Sequence, residues 1–258
     1  MKKVTFILAI SVLMLSCSNM NNRVHNDHAA FSFLPDREYG YVLNERREVA
    51  QQMGSEPNTV GTVETTHIAF QYKMLAAIEQ EPNVVVNVDS VLMTKDVGEG
   101  PVQRPELFKG AAFKLSLSRS GQVRKMLNES GFLRPIFERV SHLLPEAGIS
   151  TGSTWEGYQP WDVGVIKNVR ASFKCDSMYN GIGYISTYAE VEQDVTAHNT
   201  TIHMKGSEEG KIEIDVLTGM LIREENVLHI AGETQLGPLK MLMNVKRRTT
   251  IEWDDHKK

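Results

Sequence analysis

The sequence has little cysteine: only Cys17 and Cys175 occur among its 258 residues. A small fold held together by disulfides is therefore excluded, and a chain of this length can bury about 70–75% of its unfolded surface without cross-links. Positive charge is not in excess either, because 28 Lys and Arg residues stand against 32 Asp and Glu residues and give a formal net charge of −4. That balance argues against a general nucleic-acid-binding protein.

Long hydrophobic runs are also missing. No run approaches the roughly 20 apolar residues that a membrane-spanning helix requires. The longest, Val4–Leu15, follows Lys2 and Lys3 and has the length typical of the hydrophobic region of a signal peptide. Ser16 and Cys17 come next. This order resembles the bacterial lipoprotein signal, in which a cysteine after a small residue is lipidated and becomes the mature N-terminus.

The resemblance implies a cleaved signal peptide at residues 1–16. Residues 17–36 are rich in Asn and His and are interpreted as a flexible tether, and the periodicity that follows predicts a β-rich domain at 37–256. Cleavage would remove two lysines and no acid, which takes the formal charge from −4 to −6. Acyl chains on Cys17 would hold the domain at a membrane, since each buried methylene contributes about 0.8 kcal/mol. An ordinary signal peptide cut nearby, or an uncleaved anchor, is the alternative.

The resemblance to lipoprotein signals also bears on location in the cell envelope. Ser18 follows Cys17, and it is not the Asp type of signal that retains lipoproteins in the inner membrane. We therefore expect the outer membrane rather than the inner one, with the domain facing the periplasm or the cell surface.

From Tyr39 onward the hydrophobic period is mostly two. Tyr39, Tyr41 and Leu43 alternate with smaller or polar residues, as do residues 113–118 and 184–195. Such alternation is typical of half-buried antiparallel strands. The fold class predicted is mainly β, with curved antiparallel sheets arranged as a sandwich or an open barrel.

One segment, residues 132–144, breaks this rhythm. Its apolar residues follow the 3.6-residue spacing of a helix, Pro135 suits a first helical turn and Pro145 would end the helix. We expect one central amphipathic helix whose apolar stripe packs on a sheet. Residues 148–157, which follow, are interpreted as a loop.

Two hairpins resemble each other. In each, an alternating strand leads into a Ser/Thr-Gly turn, at Gly121 and Gly219, and an apolar residue follows two positions later. The glycines are expected to supply a positive φ at the turn. The repeat favours two similar β halves, about residues 37–128 and 147–256, joined by the helix, although hairpins are common enough for coincidence.

Four short motifs stand out beyond the periodicity. They are Ser120-Gly121-x-Val123, Leu144-Pro145, Gly152-Ser153-Thr154-Trp155 and the segment from Asp215 to Leu221. Together they resemble an uncharacterised family of bacterial envelope lipoproteins of the Bacteroidetes type, a domain of unknown function, over roughly residues 38–253. The resemblance implies a secreted, mostly β, lipid-anchored domain, and it carries over no catalytic residue.

The sequence lacks several of the usual catalytic signatures. It contains no His-Glu-x-x-His, no phosphate-binding loop and no dinucleotide fingerprint. His198 and His203 have no evident third metal ligand, so we predict neither a metal site nor a cofactor. Cys175 shares an alternating face with Ala171 and Phe173 and is interpreted as a small buried residue rather than a nucleophile.

The best functional candidates are aromatic. Trp155, Tyr158 and Trp161 occur together with Gly157 and Pro160, in what we interpret as a loop. Such side chains could stack on a sugar or hold an apolar ligand, or they could plug the end of a sandwich or barrel. We favour the plug, and we retain the three aromatics as the candidate ligand-facing residues.

The one basic run is Lys246-Arg247-Arg248. We interpret it as a solvated edge strand that charge protects from aggregation. Contact with anionic lipid headgroups or a glycan phosphate is the alternative.

Two functions are weighed. The favoured one is a non-enzymatic envelope lipoprotein that reaches the membrane through lipid on Cys17 and binds or scaffolds a lipid, a glycan or another envelope protein. The alternative is a surface hydrolase of polysaccharide or peptide that uses unrecognised catalytic acids. It would require two carboxylates, or Cys175 and a histidine, to converge in a cleft.

Overall fold

The chain folds into one open antiparallel sheet of 12 strands with a short helix against one face. The computed structural model describes residues 28–29, 32, 34–54, 59–78, 81–104, 108–118, 121–127, 133–141, 144–145, 147–163, 166–197 and 200–254. The predicted signal peptide and Cys17 lie outside these residues. The predicted mainly β class is confirmed. Because the long strands form one open sheet, the arrangement is not a sandwich.

The sheet consists of two meanders, in which strands consecutive in sequence pair with each other. The N-terminal meander comprises β2 (Glu38–Met53), β3 (Thr59–Ile78), β4 (Glu81–Asp96), β5 (Pro101–Gln103), β6 (Ala112–Leu117) and β7 (Val123–Leu127). The C-terminal meander comprises β9 (Thr154–Val163), β10 (Ile166–Tyr179), β11 (Ile182–Ala197), β12 (Thr200–Asp215), β13 (Leu221–Leu236) and β14 (Leu239–Trp253).

The first strand of one meander pairs with the last strand of the other. The order across the sheet is β7-β6-β4-β3-β2-β14-β13-β12-β11-β10-β9, with β5 beside β4. At the junction Leu43 of β2 lies opposite Ile251 of β14. The edges of the sheet are thus β7 and β9, and β14 is a central strand.

The sheet is strongly curved. Neighbouring strands lie about 4.8 Å apart, so the five steps from β14 to β9 would cover about 24 Å in a flat sheet. Nevertheless the Arg247 guanidinium on β14 donates a hydrogen bond to the carbonyl oxygen of Trp161 on β9. The edge strand must therefore curl over the face that carries Arg247.

The helix, α1 (Arg134–Ser141), lies inside this curve. The side chains of Leu133, Phe137 and Val140 are fully buried, and the Phe137 ring contacts the rings of Phe70 and Phe113 at centroid distances of 5.4 and 5.8 Å. The predicted packing of the apolar stripe is confirmed. The helix is shorter than residues 132–144, with its described part ending at Ser141.

We call the side of the sheet that faces α1 the helix face, and the opposite side the open face. Because side chains alternate along a strand, each strand contributes to both. Residues opposite one another across β13 and β14, such as Leu228 and Arg247, share the helix face. Their neighbours His229 and Lys246 share the open face.

The N-terminal end of the described chain is attached to the domain. β1 (His28–Ala29) pairs with β8 (Ile149–Ser150), and Ala29 is buried. The Ser32 amide donates to the Thr218 carbonyl oxygen over 2.8 Å, and the Asp36 amide to that of Met74 over 3.0 Å. These contacts fall in the last part of the predicted tether.

No helix among the described residues is long and apolar enough to cross a membrane.

Some local predictions hold and others do not. Gly121 and Gly219 have φ values of 80° and 68°, as the two hairpin turns require. The loop predicted at residues 148–157 is wrong, because β8 and the start of β9 occupy most of it. The similarity of the two β halves stays a prediction.

Candidate functional site

Four charged side chains meet inside the curve of the sheet. Glu208, Glu224 and Arg247 lie on the helix face of β12, β13 and β14, and Arg139 reaches them from α1. Their side chains are 0%, 2%, 4% and 8% exposed, respectively. We call these residues the buried charge cluster.

The two arginines bridge the two carboxylates. Arg139 Nη1 is 3.3 Å from Glu224 Oε1, and Arg139 Nη2 is 3.7 Å from Glu208 Oε1. Arg247 Nη2 lies 3.5 Å from the same Glu208 oxygen. Removing one member would leave a buried charge without its partner, so the cluster fixes where α1 sits on the sheet.

Burial shifts the pKa values of three members of this cluster. Burial raises the pKa of Glu224 above its ordinary value, although Arg139 pulls that pKa down. Burial alone would lower the pKa of Arg139, but the carboxylates of Glu224 and Glu208 outweigh it and the pKa is raised. The pKa of Arg247 is lowered by burial and by the charge of Arg139.

A chain of neutral polar side chains continues from the cluster towards β9. The Asn226 amide donates to Glu224 Oε1, and Gln159 Nε2 lies 3.3 Å from Thr187 Oγ1. Gly210 lies between Asn226 and Thr187 in the register, and a Cβ there would come within 1.8 Å of Asn226 Oδ1. A glycine is therefore needed at 210 to admit the Asn226 side chain.

A cavity of about 350 Å³ opens beside the cluster, between α1 and the strands β9, β10, β12 and β13. We call it the helix cavity. Its polar lining includes Arg134, Glu138, Arg139, Gln159 and Glu224, and its apolar lining includes Phe173, Ile212 and Tyr158. Two buried acceptors of this lining, Glu224 Oε2 and Gln159 Oε1, have no hydrogen-bond partner within the described part of the chain.

The three candidate aromatics lie on β9, not on a loop. Trp161 is fully buried on the helix face, where its carbonyl oxygen binds Arg247. Trp155 is half-buried and stacks on Phe173 with a centroid distance of 5.4 Å. Tyr158, on the opposite side of the strand, is 72% exposed and lines the helix cavity. The structure thus does not gather the three rings into one patch, and their predicted role towards a ligand stays a prediction.

Beyond the buried charge cluster, on the side away from Phe70 and Phe113, the helix face of β2 and β11 to β14 is apolar. We call this region the apolar end; it comprises Val49, Val191, Val195, Ile202, Met204, Ile230, Met243 and Val245. Val195, Ile202 and Met243 are only half-buried, and Met53 and Leu239 beside them are 54% and 47% exposed. The ring contacts of α1 with Phe70 and Phe113 fall at the other end of the sheet.

The open face is polar. One groove of about 990 Å³ crosses β9 to β13 and includes Glu156, Lys174 and Lys211, and another of about 600 Å³ includes His229 and Lys246. The interpretation of Lys246-Arg247-Arg248 as an edge strand is wrong. These residues lie on a central strand, with Lys246 and Arg248 exposed and Arg247 buried on the other face.

The remaining sequence candidates do not come together. Cys175 is buried, and burial together with the neighbouring Asp176 charge raises the pKa of its thiol. His203 is exposed, with Nδ1 2.8 Å from Asp194 Oδ1, while His198 lies outside the described residues. Among the residues that the structure describes, no three His, Cys, Asp or Glu side chains are placed to hold a metal ion.

Sequence reasoning missed the buried charge cluster. None of Arg139, Glu208 and Glu224 is singled out from the sequence, and neither is the role of Arg247. A signal does exist: Glu224 and Asn226 occupy the same alternating positions as Leu228 and Ile230. Polar residues on an otherwise apolar face indicate buried partners.

Comparisons with known proteins concern the fold. No family model and no curated protein matches this chain. Among solved structures, one of lipovitellin that describes its lipid–protein interactions has a similar fold, with a TM-score of 0.55 and 9% identity. The match covers 86% of this chain and 25% of the lipovitellin chain, so this chain spans about a quarter of that protein's length.

Proposed function

We propose that this protein is a non-enzymatic lipoprotein of the bacterial cell envelope whose sheet binds a hydrophobic or amphiphilic ligand at the apolar end. The observation that carries the proposal is that several apolar side chains of that region are only partly buried. Its aliphatic side chains line a curved face, yet Val195, Ile202 and Met243 keep part of their surface in water. Covering apolar surface stabilises a complex by roughly 25 cal/mol per Å², and contiguous exposed apolar surface marks interaction sites.

The fold comparison supports the same ligand class. A structure of lipovitellin that describes its lipid–protein interactions has a fold similar to 86% of this chain. The apolar end supplies side chains suited to lipid in this protein. A lipid is therefore preferred here over a glycan or a protein.

The membrane anchor is a separate part of the proposal. Cys17, after the apolar run and Ser16, would carry the lipid, and the chain joins the domain at His28. The intervening residues would then connect the membrane to the sheet. We propose the outer membrane, and membership of the envelope lipoprotein family that the sequence motifs resemble.

The hydrolase alternative receives little support from the site geometry. Glu208 and Glu224 do converge on Arg139, but their side chains are 0% and 2% exposed. A glycosidase needs its two carboxylates on either side of a bond in an accessible cleft. A polysaccharide or peptide would not reach both acids here.

Lipid binding can be tested with two neighbouring positions on opposite faces of β11. Val195→Lys places a charge in the apolar end, whereas Thr196→Lys places the same charge on the open face. The full-length protein and both variants are extracted in a mild detergent and examined by native mass spectrometry. We expect lipid to co-purify with the parent and with Thr196→Lys, and to be lost from Val195→Lys.

Equal lipid retention by both variants, or no bound lipid in any of the three, would overturn the proposed site. Circular dichroism and thermal melts establish that Val195→Lys is folded.

The anchor has its own test. Replacing Cys17 with Ser should move the protein from the membrane fraction to the soluble fraction, because acylation needs the thiol. Unchanged membrane association of Cys17→Ser would contradict the lipoprotein assignment without touching the proposed ligand site.

A further inference from the structure

The helix cavity contains an unusual excess of hydrogen-bond acceptors. Glu224 Oε2 and Gln159 Oε1 belong to side chains whose residues are 2% and 5% exposed, and neither atom has a hydrogen-bond partner among the described residues. A buried polar atom without a partner costs about 1–3 kcal/mol, more when it is charged. Such atoms are rare in folded proteins unless a ligand or water satisfies them.

The two guanidinium groups of the lining, those of Arg134 and Arg139, already have partners. Arg139 Nη1 is 3.3 Å from the other Glu224 oxygen, and its Nη2 is 3.7 Å from Glu208. Arg134 binds Glu138 with Nε at 3.1 Å and the Val123 carbonyl oxygen with Nη2 at 3.1 Å. The buried atoms of the lining that lack a partner among the described residues are both acceptors, and they would be satisfied by a group that donates hydrogen bonds.

The burial of the Glu224 carboxyl indicates which charge a ligand of the helix cavity would carry. Burial outweighs the attraction of Arg139 and keeps the pKa of this carboxyl above its ordinary value. The carboxylate is therefore not fully compensated by its arginine neighbour, and an additional positive charge would stabilise it. A neutral hydroxyl would satisfy the acceptors but would not supply that charge.

The shape and the walls of the cavity restrict the size of the ligand. A volume of about 350 Å³ is near the lower end of the roughly 300–1,000 Å³ found for ligand pockets. The buried Phe173 lines it, and aromatic faces attract cations.

We propose that the helix cavity binds the primary ammonium group of a small amine, with Glu224 as its counter-ion and Gln159 as a neutral acceptor. An ammonium group offers three donors and no acceptor, which matches the unpartnered atoms. The site lies on the α1 side of the buried charge cluster, apart from the apolar end. It therefore stands independently of the proposed lipid site.

The test uses n-butylammonium and n-butanol, which have similar size and differ in charge. Both are titrated into the full-length protein in a non-ionic detergent at neutral pH, and binding is followed by calorimetry. We expect saturable binding of butylammonium at one site, and butanol binding that is weaker by about tenfold or more, since a hydrogen bond to a charged group contributes about 1.5–3 kcal/mol.

Variants locate the binding. Glu224→Gln should weaken butylammonium by about tenfold or more, whereas Glu190→Gln, an exposed carboxylate of the open face, should leave it unchanged. Gln159→Leu removes the neutral acceptor without changing any charge, and it should weaken binding even if Glu224→Gln fails to fold.

Three results would overturn the inference: no saturable binding of butylammonium at tens of millimolar, equal binding of butanol, or unchanged affinity in Gln159→Leu. Tetramethylammonium, which has no N–H donor, should bind more weakly than butylammonium, and equal affinity would contradict the proposed hydrogen bonds. None of these results depends on lipid retention, so this inference and the lipid proposal fail separately.

Discussion

Arg247 and Arg248 are neighbours in β14, but they lie in two different environments. Arg247 is on the helix face, 4% exposed, with Nη2 3.5 Å from the fully buried Glu208. Arg248 is on the open face, in water. The same contrast holds for their surroundings, since the open face carries exposed pairs such as Lys205 and Glu192, 2.8 Å apart.

The difference shows that an ion pair has different consequences on the two faces. On the open face water already solvates each charge, so a pair adds little to stability and salt weakens it. On the helix face each charge has lost most of its hydration and depends on its partners. The buried charge cluster therefore joins α1 to three central strands, whereas the open-face pairs hold nothing in place.

The largest effect should come from Arg247→Leu. The change leaves Glu208 buried with Arg139 as its remaining partner in the cluster and removes the hydrogen bond to the Trp161 carbonyl oxygen. Breaking a buried pair from one side typically costs about 3–5 kcal/mol. We expect the free energy of unfolding, measured by urea denaturation, to fall by about that amount.

The matched control is Arg248→Leu, the adjacent arginine on the open face. It should leave the free energy of unfolding unchanged within the error of the measurement. If the two variants lost equal stability, the contrast between the faces would be wrong.

Much of the fold follows from sequence because hydrophobic alternation records one buried face. Tyr39, Tyr41 and Leu43 indicated β2, and Phe137 and Val140 indicated the buried side of α1. The order of the strands does not follow in the same way. The pairing of Leu43 with Ile251 joins residues far apart in the sequence, and no local pattern determines which strands meet.

The site was less accessible to sequence reasoning for the same physical reason. Trp155, Tyr158 and Trp161 were noticed as aromatics, but Gly157 and Pro160 favoured a loop over the edge strand that pairing with β10 stabilises. The buried acids looked like ordinary surface acids. Their burial depends on Arg139, which comes from an element 69 residues before Glu208 in the numbering.

A smaller effect should come from space rather than charge. Gly210→Ala puts a methyl group within 1.8 Å of Asn226 Oδ1 and 2.7 Å of Thr187 Oγ1. Overpacking of this kind costs about 1–3 kcal/mol, measurable as a lower midpoint in urea. Gly61→Ala on the exposed side of β3, where a Cβ meets nothing within 4 Å, should not be destabilised. An unchanged urea midpoint in Gly210→Ala would contradict the tight packing beside the buried charge cluster.

The smallest effect concerns pH. Because burial raises the pKa of Glu224 in the folded state, the folded protein binds its proton at a pH where the unfolded chain, with a pKa near 4.3, has lost it. Protonated Glu224 therefore stabilises the folded protein at low pH, and this contribution is lost as the pH rises through the raised pKa. Comparing urea denaturation of the parent and Glu224→Gln across this range should show the parent losing relative stability as the pH rises.

Glu192 on the open face provides the opposite case. Its hydrogen bond with Lys205 lowers the pKa of this carboxyl, so any stability it contributes is present at neutral pH and is lost as the pH falls. Since the group is solvated, the slope of the parent against Glu192→Gln should be shallow and should vanish at high salt, whereas the Glu224 slope should persist. Equal salt sensitivity of the two slopes would mean that water reaches the buried charge cluster, and the two faces would then not differ in the way that Arg247 and Arg248 indicate.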